Sequence, residues 1–354
     1  MTNRVFEYPV NRRRFLRSLA PLGAAARWAA AGELVPGGAP RTAMGIGEFS
    51  FSRSPHRDSP SAFLEYSNSL GASGVQMGLE SLTDDDLERL RRRAEELEMA
   101  VEVDLELPKP DDSGEFERAV ARAKRAGAVC LRSACLGGRR YETFQSLEEW
   151  KRFVAESREK IRRALPILEK NKIPLGLENH KDWTADELAA LMKEFGNHLL
   201  GVCLDTGNNL ALLDDPMEVV EALAPFAVTT HFKDMAVEES SDGFLLSEVP
   251  LGEGILDLRA IVKTLRDARP KVRINLEMIT RDPLNIPCLT DRYWATFPDR
   301  NGRYLARTLE LVRGHKPRRP LPRVTGLDPR ARAALEESNV KSCLQYAREK
   351  LGLV

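Results

Sequence analysis

The stretch Gly201-Val202-Cys203-Leu204-Asp205-Thr206-Gly207-Asn208 is an apolar run closed by a carboxylate and a turn. Its length and composition are those of a strand buried on both faces, and the Thr-Gly-Asn that follows ends it. The same design recurs on either side: Leu175-Gly176-Leu177-Glu178-Asn179-His180 upstream, then Thr229-Thr230-His231-Phe232-Lys233-Asp234 and Ile274-Asn275-Leu276-Glu277-Met278 downstream. Four apolar runs thus end in a carboxylate, a carboxylate, an imidazole and a carboxylate. Glu178, Asp205, His231 and Glu277 are 27, 26 and 46 residues apart. The first two gaps fit one strand-plus-helix repeat, and the third is longer by an insertion over Ala236–Gly254.

Further such runs extend the pattern, at Met44–Phe51, Gly74–Leu79, Ala100–Leu107 and Ala128–Ala134, making eight with Ile173–Glu178, Leu199–Asp205, Val228–Lys233 and Val272–Ile279. Amphipathic stretches at Asp84–Met99, Glu115–Ala126, Ser146–Asn171, Thr184–Phe195, Asp215–Ala224, Asp257–Ala268 and Gly302–Gly314 predict helices between and after them. Thr184 with Glu187 reads as a capping box, and Asp257 precedes Leu258, Ile261, Val262 and Leu265 at helical spacing. Eight strand–helix repeats in about 270 residues predict an α/β fold, a closed (β/α)8 TIM barrel. An open doubly wound sheet is the rival, but no Gly-rich phosphate turn follows the first strand.

The chain has 354 residues, 42% hydrophobic and 30% charged, with 53 Lys+Arg against 53 Asp+Glu. This is a globular composition without the basic field that nucleic-acid binding needs, and no run is long enough for a membrane span. Five scattered cysteines make no disulfide framework, and Cys130 and Cys203 sit in strand runs as small core residues.

Residues 1–43 read differently. Asn11-Arg12-Arg13-Arg14-Phe15-Leu16-Arg17, an alanine-rich run and Pro36-Gly37-Gly38 resemble a twin-arginine signal, so export to the periplasm is expected. The barrel is expected over 44–315. Residues 316–354 read as a basic, Pro-rich linker and a helix opening at Asp328-Pro329, whose stripe of Leu335, Val340, Leu344, Ala347 and Leu351 packs on the parent domain.

In a closed barrel, function sits at the C-terminal ends of the strands. Four candidate ligands on consecutive strands can therefore aim at one point in the mouth. Three oxygen donors and one nitrogen suit Mn²⁺, Mg²⁺ or Co²⁺ better than a thiolate-rich structural zinc site. A lone buried carboxylate is more often salt-bridged than ligating. Four in register with no arginine beside them in sequence reverse that expectation.

The L-E-N-H, C-L-D-T-G-N, T-H-F-K-D and N-L-E-M segments, with the Gly252-Glu253-Gly254 loop, resemble the xylose-isomerase-like barrel superfamily of sugar-phosphate isomerases and epimerases, over roughly Met44 to His315. The resemblance implies a divalent metal, Mn²⁺ foremost, on Glu178, Asp205, His231 and Glu277. In the family's epimerases the glutamates matching Glu178 and Glu277 also take and return a proton through an enediolate. His180, Lys233 and Asn208 are read as substrate contacts, although Asn208 stands where many relatives carry His. Lys233 has pairing with a carboxylate as its alternative, and Arg132 is within reach of the mouth. Glu253 reads as a loop residue orienting its own backbone.

The expected function is isomerisation or epimerisation of a sugar or keto-sugar, with a small-molecule carbohydrate as partner and a homo-oligomer as the possible assembly. The alternatives are a lyase or dehydratase on keto-sugars or 3-keto-glycosides, an abasic-site endonuclease disfavoured by the neutral charge, and a non-catalytic sugar-binding barrel. The segment Arg281–Arg300, Pro-rich and aromatic, is long for a loop at the catalytic face. It is read either as a cover or subunit contact, or as an excursion packed by its own aromatics.

Overall fold

A computed structural model describes residues 39–109, 112–317 and 319–354. The twin-arginine run lies outside the described residues. Residues 39–43 belong to the fold: Thr42 is buried, and its Oγ1 donates a 2.6 Å hydrogen bond to the Leu353 carbonyl.

All eight predicted barrel strands form. They are β1 (Met44–Gly47), β2 (Gly74–Met77), β3 (Ala100–Asp104), β4 (Cys130–Ser133), β5 (Leu175–Glu178), β6 (Leu200–Asp205), β7 (Ala227–Phe232) and, after a hairpin, β10 (Ile274–Leu276). They close in the order β1-β10-β7-β6-β5-β4-β3-β2, every pairing parallel. The predicted helices follow them, and the two expected caps are present: Thr184 and Glu187 reciprocate, and Asp257 accepts from the Ala260 N–H. The expected strand over Met44–Phe51 is cut short at Gly47 and continues as a 3₁₀ turn, Glu48–Phe51.

Register decides which side chains face inward, because paired residues of parallel strands project to one side. One irregularity matters. Val202 pairs with Ala227 but Cys203 with Thr229, leaving Val228 as an extra residue in β7. That bulge brings His231 opposite Asp205, and His231 in turn pairs with Asn275, two residues before Glu277. Glu178 pairs with Cys203, two residues before Asp205. All four candidate ligands thereby face inward at one height. The layer below is tight: a Cβ on Gly45 would lie 2.1 Å from Asn275 Oδ1, so the residue there must be glycine.

Two parts of the chain depart from the sequence reading. The insertion after β7 is an antiparallel hairpin, β8 (Asp234–Ser240) and β9 (Gly243–Val249), joined by β11 (Leu284–Ile286) from the long segment after β10. This sheet has its own apolar cluster, containing Tyr141, Phe244, Tyr293, Phe297 and Val312 of the helix Gly302–Gly314. The aromatics of Arg281–Arg300 are thus packed. The hairpin's alternation was masked by its acidic residues. The second departure concerns the last helix, Pro329–Leu351, which buries Val340, Cys343, Leu344 and Ala347 in the same cluster as the barrel strands, packed on the helix Leu258–Ala268 and the turn after β1. It therefore fills the eighth place of the outer ring, while Gly302–Gly314 packs on the accessory sheet.

Cutting the chain after Gly314 should consequently abolish the cooperative unfolding transition in calorimetry. A sharp transition retained by that fragment would show that the last helix is dispensable to the core.

Candidate metal centre

Glu178, Asp205, His231 and Glu277 each offer an atom within 4.8 Å of the others, all four side chains buried. Opposite donors around a hard cation with bonds of roughly 2.1 Å stand about 4.2 Å apart, so the four close on one ion with small side-chain shifts. Glu178 and Asp205 are the last residues of β5 and β6, His231 is near the end of β7, and Glu277 follows β10 directly.

The sequence reading placed no arginine beside these acids and offered Lys233 as a carboxylate partner in one of two alternatives; the fold supplies both an arginine and that lysine. Arg132, inward-facing on β4, hydrogen-bonds Glu178 Oε2 through its guanidinium. The Lys233 ammonium donates to Glu277 Oε2 and sits 2.7 Å from Asp205 Oδ2, off the hydrogen-bonding direction. The Arg132 pairing is not visible in sequence, because β4 and β5 are separated by a helix of 25 residues. Burial of a carboxylate favours its neutral form, but at Glu277 the charges of His231 and Lys233 outweigh that and hold it well below the usual range. The opposing effect at Lys233, where Asp205 and Glu277 outweigh burial, pushes the ammonium up.

His231 has one nitrogen engaged and one free. Its Nε2 faces Gln76 Oε1 on β2, while Nδ1 lies 3.3 Å from Glu178 and 3.2 Å from Glu277 with no hydrogen bond made. The Gln76 amide is fixed from its far side: Nε2 donates 3.0 Å to Glu102 Oε2, which also accepts from Asn275 Nδ2 at 2.9 Å and from Thr229. Gln76 must therefore present its oxygen to His231, so Nε2 carries a proton and Nδ1 is the nitrogen turned to the carboxylates. Burial lowers the imidazole pKa, but Cys203 and Glu277 push it up to about 9, and a divalent cation among the carboxylates would take the place of the Nδ1 proton.

The remaining ligand oxygens are held as rigidly. Asp205 Oδ1 accepts from the Gly207 and Asn208 N–H groups at 2.8 and 2.7 Å. Asn208 Nδ2 donates 2.9 Å to Glu178 Oε1, and its Oδ1 accepts from Lys181, a residue in left-handed backbone conformation. Both ends of the Asn208 amide are therefore spent inside the protein, supporting Glu178. His180 Nδ1 meets the Leu136 carbonyl at 3.0 Å. Asp234, not Glu253, organises the Gly252–Gly254 loop: its carboxylate accepts from the N–H groups of Met235, Gly252, Gly254 and Leu256.

Beside the cluster, over the ends of β1 to β4, lies a cavity of about 550 Å³. Arg132 belongs to both. Phe49 forms one wall, with the guanidinium groups of Arg57 and Arg132 centred 5.3 and 5.8 Å from its ring. Asp104 at the end of β3 faces the same space. The sequence reading missed Phe49 and Asp104, having weighed strand ends only on β4 to β7 and β10. Among the described residues no helix is long and apolar enough to cross a membrane.

The model of the xylose isomerase-like TIM barrel family matches residues 64–296. The 3-oxo-isoapionate decarboxylase of Pectobacterium atrosepticum is 31% identical over 235 residues, 63% of this chain and 81% of its own length. Among solved structures, D-psicose 3-epimerase with D-tagatose from Clostridium cellulolyticum H10 aligns with 87% of this chain and 99% of its own, at TM-score 0.56 and 15% identity. A xylose isomerase-like barrel from Mycobacterium smegmatis in complex with magnesium aligns over 75% and 97%, at TM-score 0.51 and 18% identity. At these identities the two structures speak to the fold alone.

The relay behind His231 is testable without substrate. Gln76→Leu should keep the fold and raise the Kd for Mg²⁺ or Mn²⁺ by about 10- to 100-fold, read by titration calorimetry. Unchanged affinity would mean that the relay does not orient His231.

Proposed function

We propose that this chain, which belongs to the xylose isomerase-like TIM-barrel family, is a divalent-metal-dependent enzyme that moves protons beside the carbonyl of a keto-sugar. The observation that carries this reading is the buried Glu178, Asp205, His231 and Glu277 cluster, joined through Arg132 to a neighbouring cavity large enough for a sugar. A bound divalent cation supplies Lewis acidity, drawing charge toward the substrate oxygens as an enediolate develops. Mn²⁺ is the ion we favour for three carboxylates and one imidazole, with Mg²⁺ and Co²⁺ as competitors.

The side chains divide the remaining work. Arg132 and Lys233 pair with Glu178 and Glu277 and aim them inward, so that each can hold a ligand position and exchange a proton with carbon. Phe49 offers an apolar face to the C–H side of a sugar ring or chain. Asn208 holds Glu178 in place. His180 and Lys233 remain our candidates for contact with the substrate oxygens, Lys233 doing so at the expense of one of its two carboxylates.

A second reading, decarboxylation or elimination, is favoured by a specific pair of observations. The 31%-identical relative bears the name of a decarboxylase, and the guanidinium groups of Arg57 and Arg132 flank the cavity, where a substrate carboxylate would sit. Loss of CO₂ beside a ketone leaves an enolate, the same kind of anion that proton removal produces.

One experiment separates the readings. The full chain, loaded with Mn²⁺, is incubated in deuterated buffer with D-tagatose, D-psicose or 3-oxo-isoapionate and followed by NMR. Proton transfer predicts deuterium at the carbon beside the carbonyl of a ketose; the second reading predicts CO₂ release from the oxo acid. Glu277→Gln should lower either rate by at least about 100-fold with metal occupancy checked alongside. A metal-loaded Gln variant at the wild-type rate would contradict the role given to Glu277.

A further inference from the structure

We propose that Asp104 is a further catalytic residue, the base that exchanges a proton with a substrate hydroxyl on the cavity side of the mouth, away from the metal ligands. This rests on the keto-sugar reading above and assigns a group that reading left without a role.

The argument starts from an imbalance. Asp104 is only 8% exposed, yet neither carboxylate oxygen has a hydrogen-bond partner among the described residues. Two residues earlier on the same strand, Glu102 faces the barrel interior and has one oxygen, Oε2, that accepts from Gln76, Thr229 and Asn275, whereas Asp104 has neither oxygen met. Leaving a buried acceptor unmet costs about 1–3 kcal/mol, more when it is charged, so an orphan here needs an account. Asp104 pairs in register with Arg132, but the guanidinium is turned toward Glu178 and its Nε stays 3.9 Å from Asp104 Oδ1. What Asp104 does face is the cavity. A buried acid with both oxygens unmet on a cavity wall is the complement of a hydroxyl donor.

Position supplies the rest. Each ligand glutamate already holds an ion pair and a place in the metal centre. Carbon-bound protons fall to them, but an enediol has hydroxyl protons as well. The enediolate left when a ligand glutamate takes the carbon-bound proton carries one oxyanion and one hydroxyl. The hydroxyl O–H bond breaks, its proton passes to Asp104 and its electron pair forms the product C=O bond, while the C=C pair takes the proton back at the other carbon from the ligand glutamate. No electrons enter or leave, and Asp104 gives its proton to the alkoxide that remains. The environment suits a base. Burial raises the Asp104 carboxyl to about 6, with Glu48 and Glu277 raising and Arg132 and His231 lowering it, so the carboxylate is the resting form at neutral pH.

The test uses the full chain loaded with Mn²⁺, with D-tagatose and D-psicose as probes, comparing wild type, Asp104→Asn and Asp104→Glu. The Asn variant should lose about 100-fold or more in kcat with KM nearly unchanged, and Mn²⁺ affinity by calorimetry should match wild type. Because the carboxylate is the active form, wild-type kcat/KM should fall as pH drops through the Asp104 pKa. That acid limb should vanish in the Asn variant and return, with part of the rate, in the Glu variant. An Asn variant within twofold of wild type, or one retaining the limb, overturns the assignment while leaving the keto-sugar reading intact. A wild type inactive on both sugars overturns the keto-sugar reading itself, and this inference with it.

Discussion

Three carboxylates in one buried pocket repel one another, and each is costly to take out of water; every other feature of the mouth answers that constraint. Arg132 meets Glu178, Lys233 meets Asp205 and Glu277, and two backbone N–H groups meet the far side of Asp205. Removing one partner of a buried pair costs about 3–5 kcal/mol because a charge is left stranded. The two cations therefore stabilise the metal-free cluster, and they do so from positions beside the donors, not between them. His231 Nδ1 stays unclaimed at 3.2–3.3 Å from two carboxylates. The arrangement combines cations placed beside the acids with a position at His231 Nδ1 that a proton or a metal cation can take.

That balance depends on strand register more than on any single contact. With Val228 bulged out of the β6–β7 ladder, Asp205 and His231 face inward together; without it, one of them would be turned away. The same inward rows continue below the cluster as Gln76, Glu102, Thr229 and Asn275, where barrels more often stack branched apolar side chains. The members of that polar layer converge on Glu102 Oε2, and Gln76, its top member, reaches the imidazole. Orientation of the metal donor is thus built into the barrel core.

The fold and the ligand half of the mouth could be read from sequence for the same reason. Buried parallel strands are apolar runs, and a polar residue ending such a run stands out, as Glu178, Asp205, His231 and Glu277 did. What could not be read depends on contacts between distant segments. Arg132 and Glu178 are 46 positions apart, and nothing local to either says that they meet. The accessory hairpin carries Glu238, Glu239 and Ser240 along one strand and so hides its alternation. The helix Pro329–Leu351 reads as an appendage because a basic, Pro-rich linker precedes it. Its buried stripe shows instead that the ring of helices closes only there.

The mouth is asymmetric, and the asymmetry bears on chemistry. The ends of β5 to β7 and the residue after β10 carry donors locked by ion pairs and hydrogen bonds. The ends of β1 to β4 carry an open cavity, an aromatic wall and an acid with nothing to bind. Arg132 stands on the border, anchored to Glu178 and stacked toward Phe49. A substrate held by its carbonyl on the locked side must lay its remaining hydroxyls over the open side. The scaffold can then vary the open side without disturbing the donors, since the polar layer that orients His231 lies beneath both. On the keto-sugar reading, specificity is a property of Phe49 and Arg57, the capacity for carbanion chemistry belongs to the locked half, and Asp104 serves the hydroxyl protons between them.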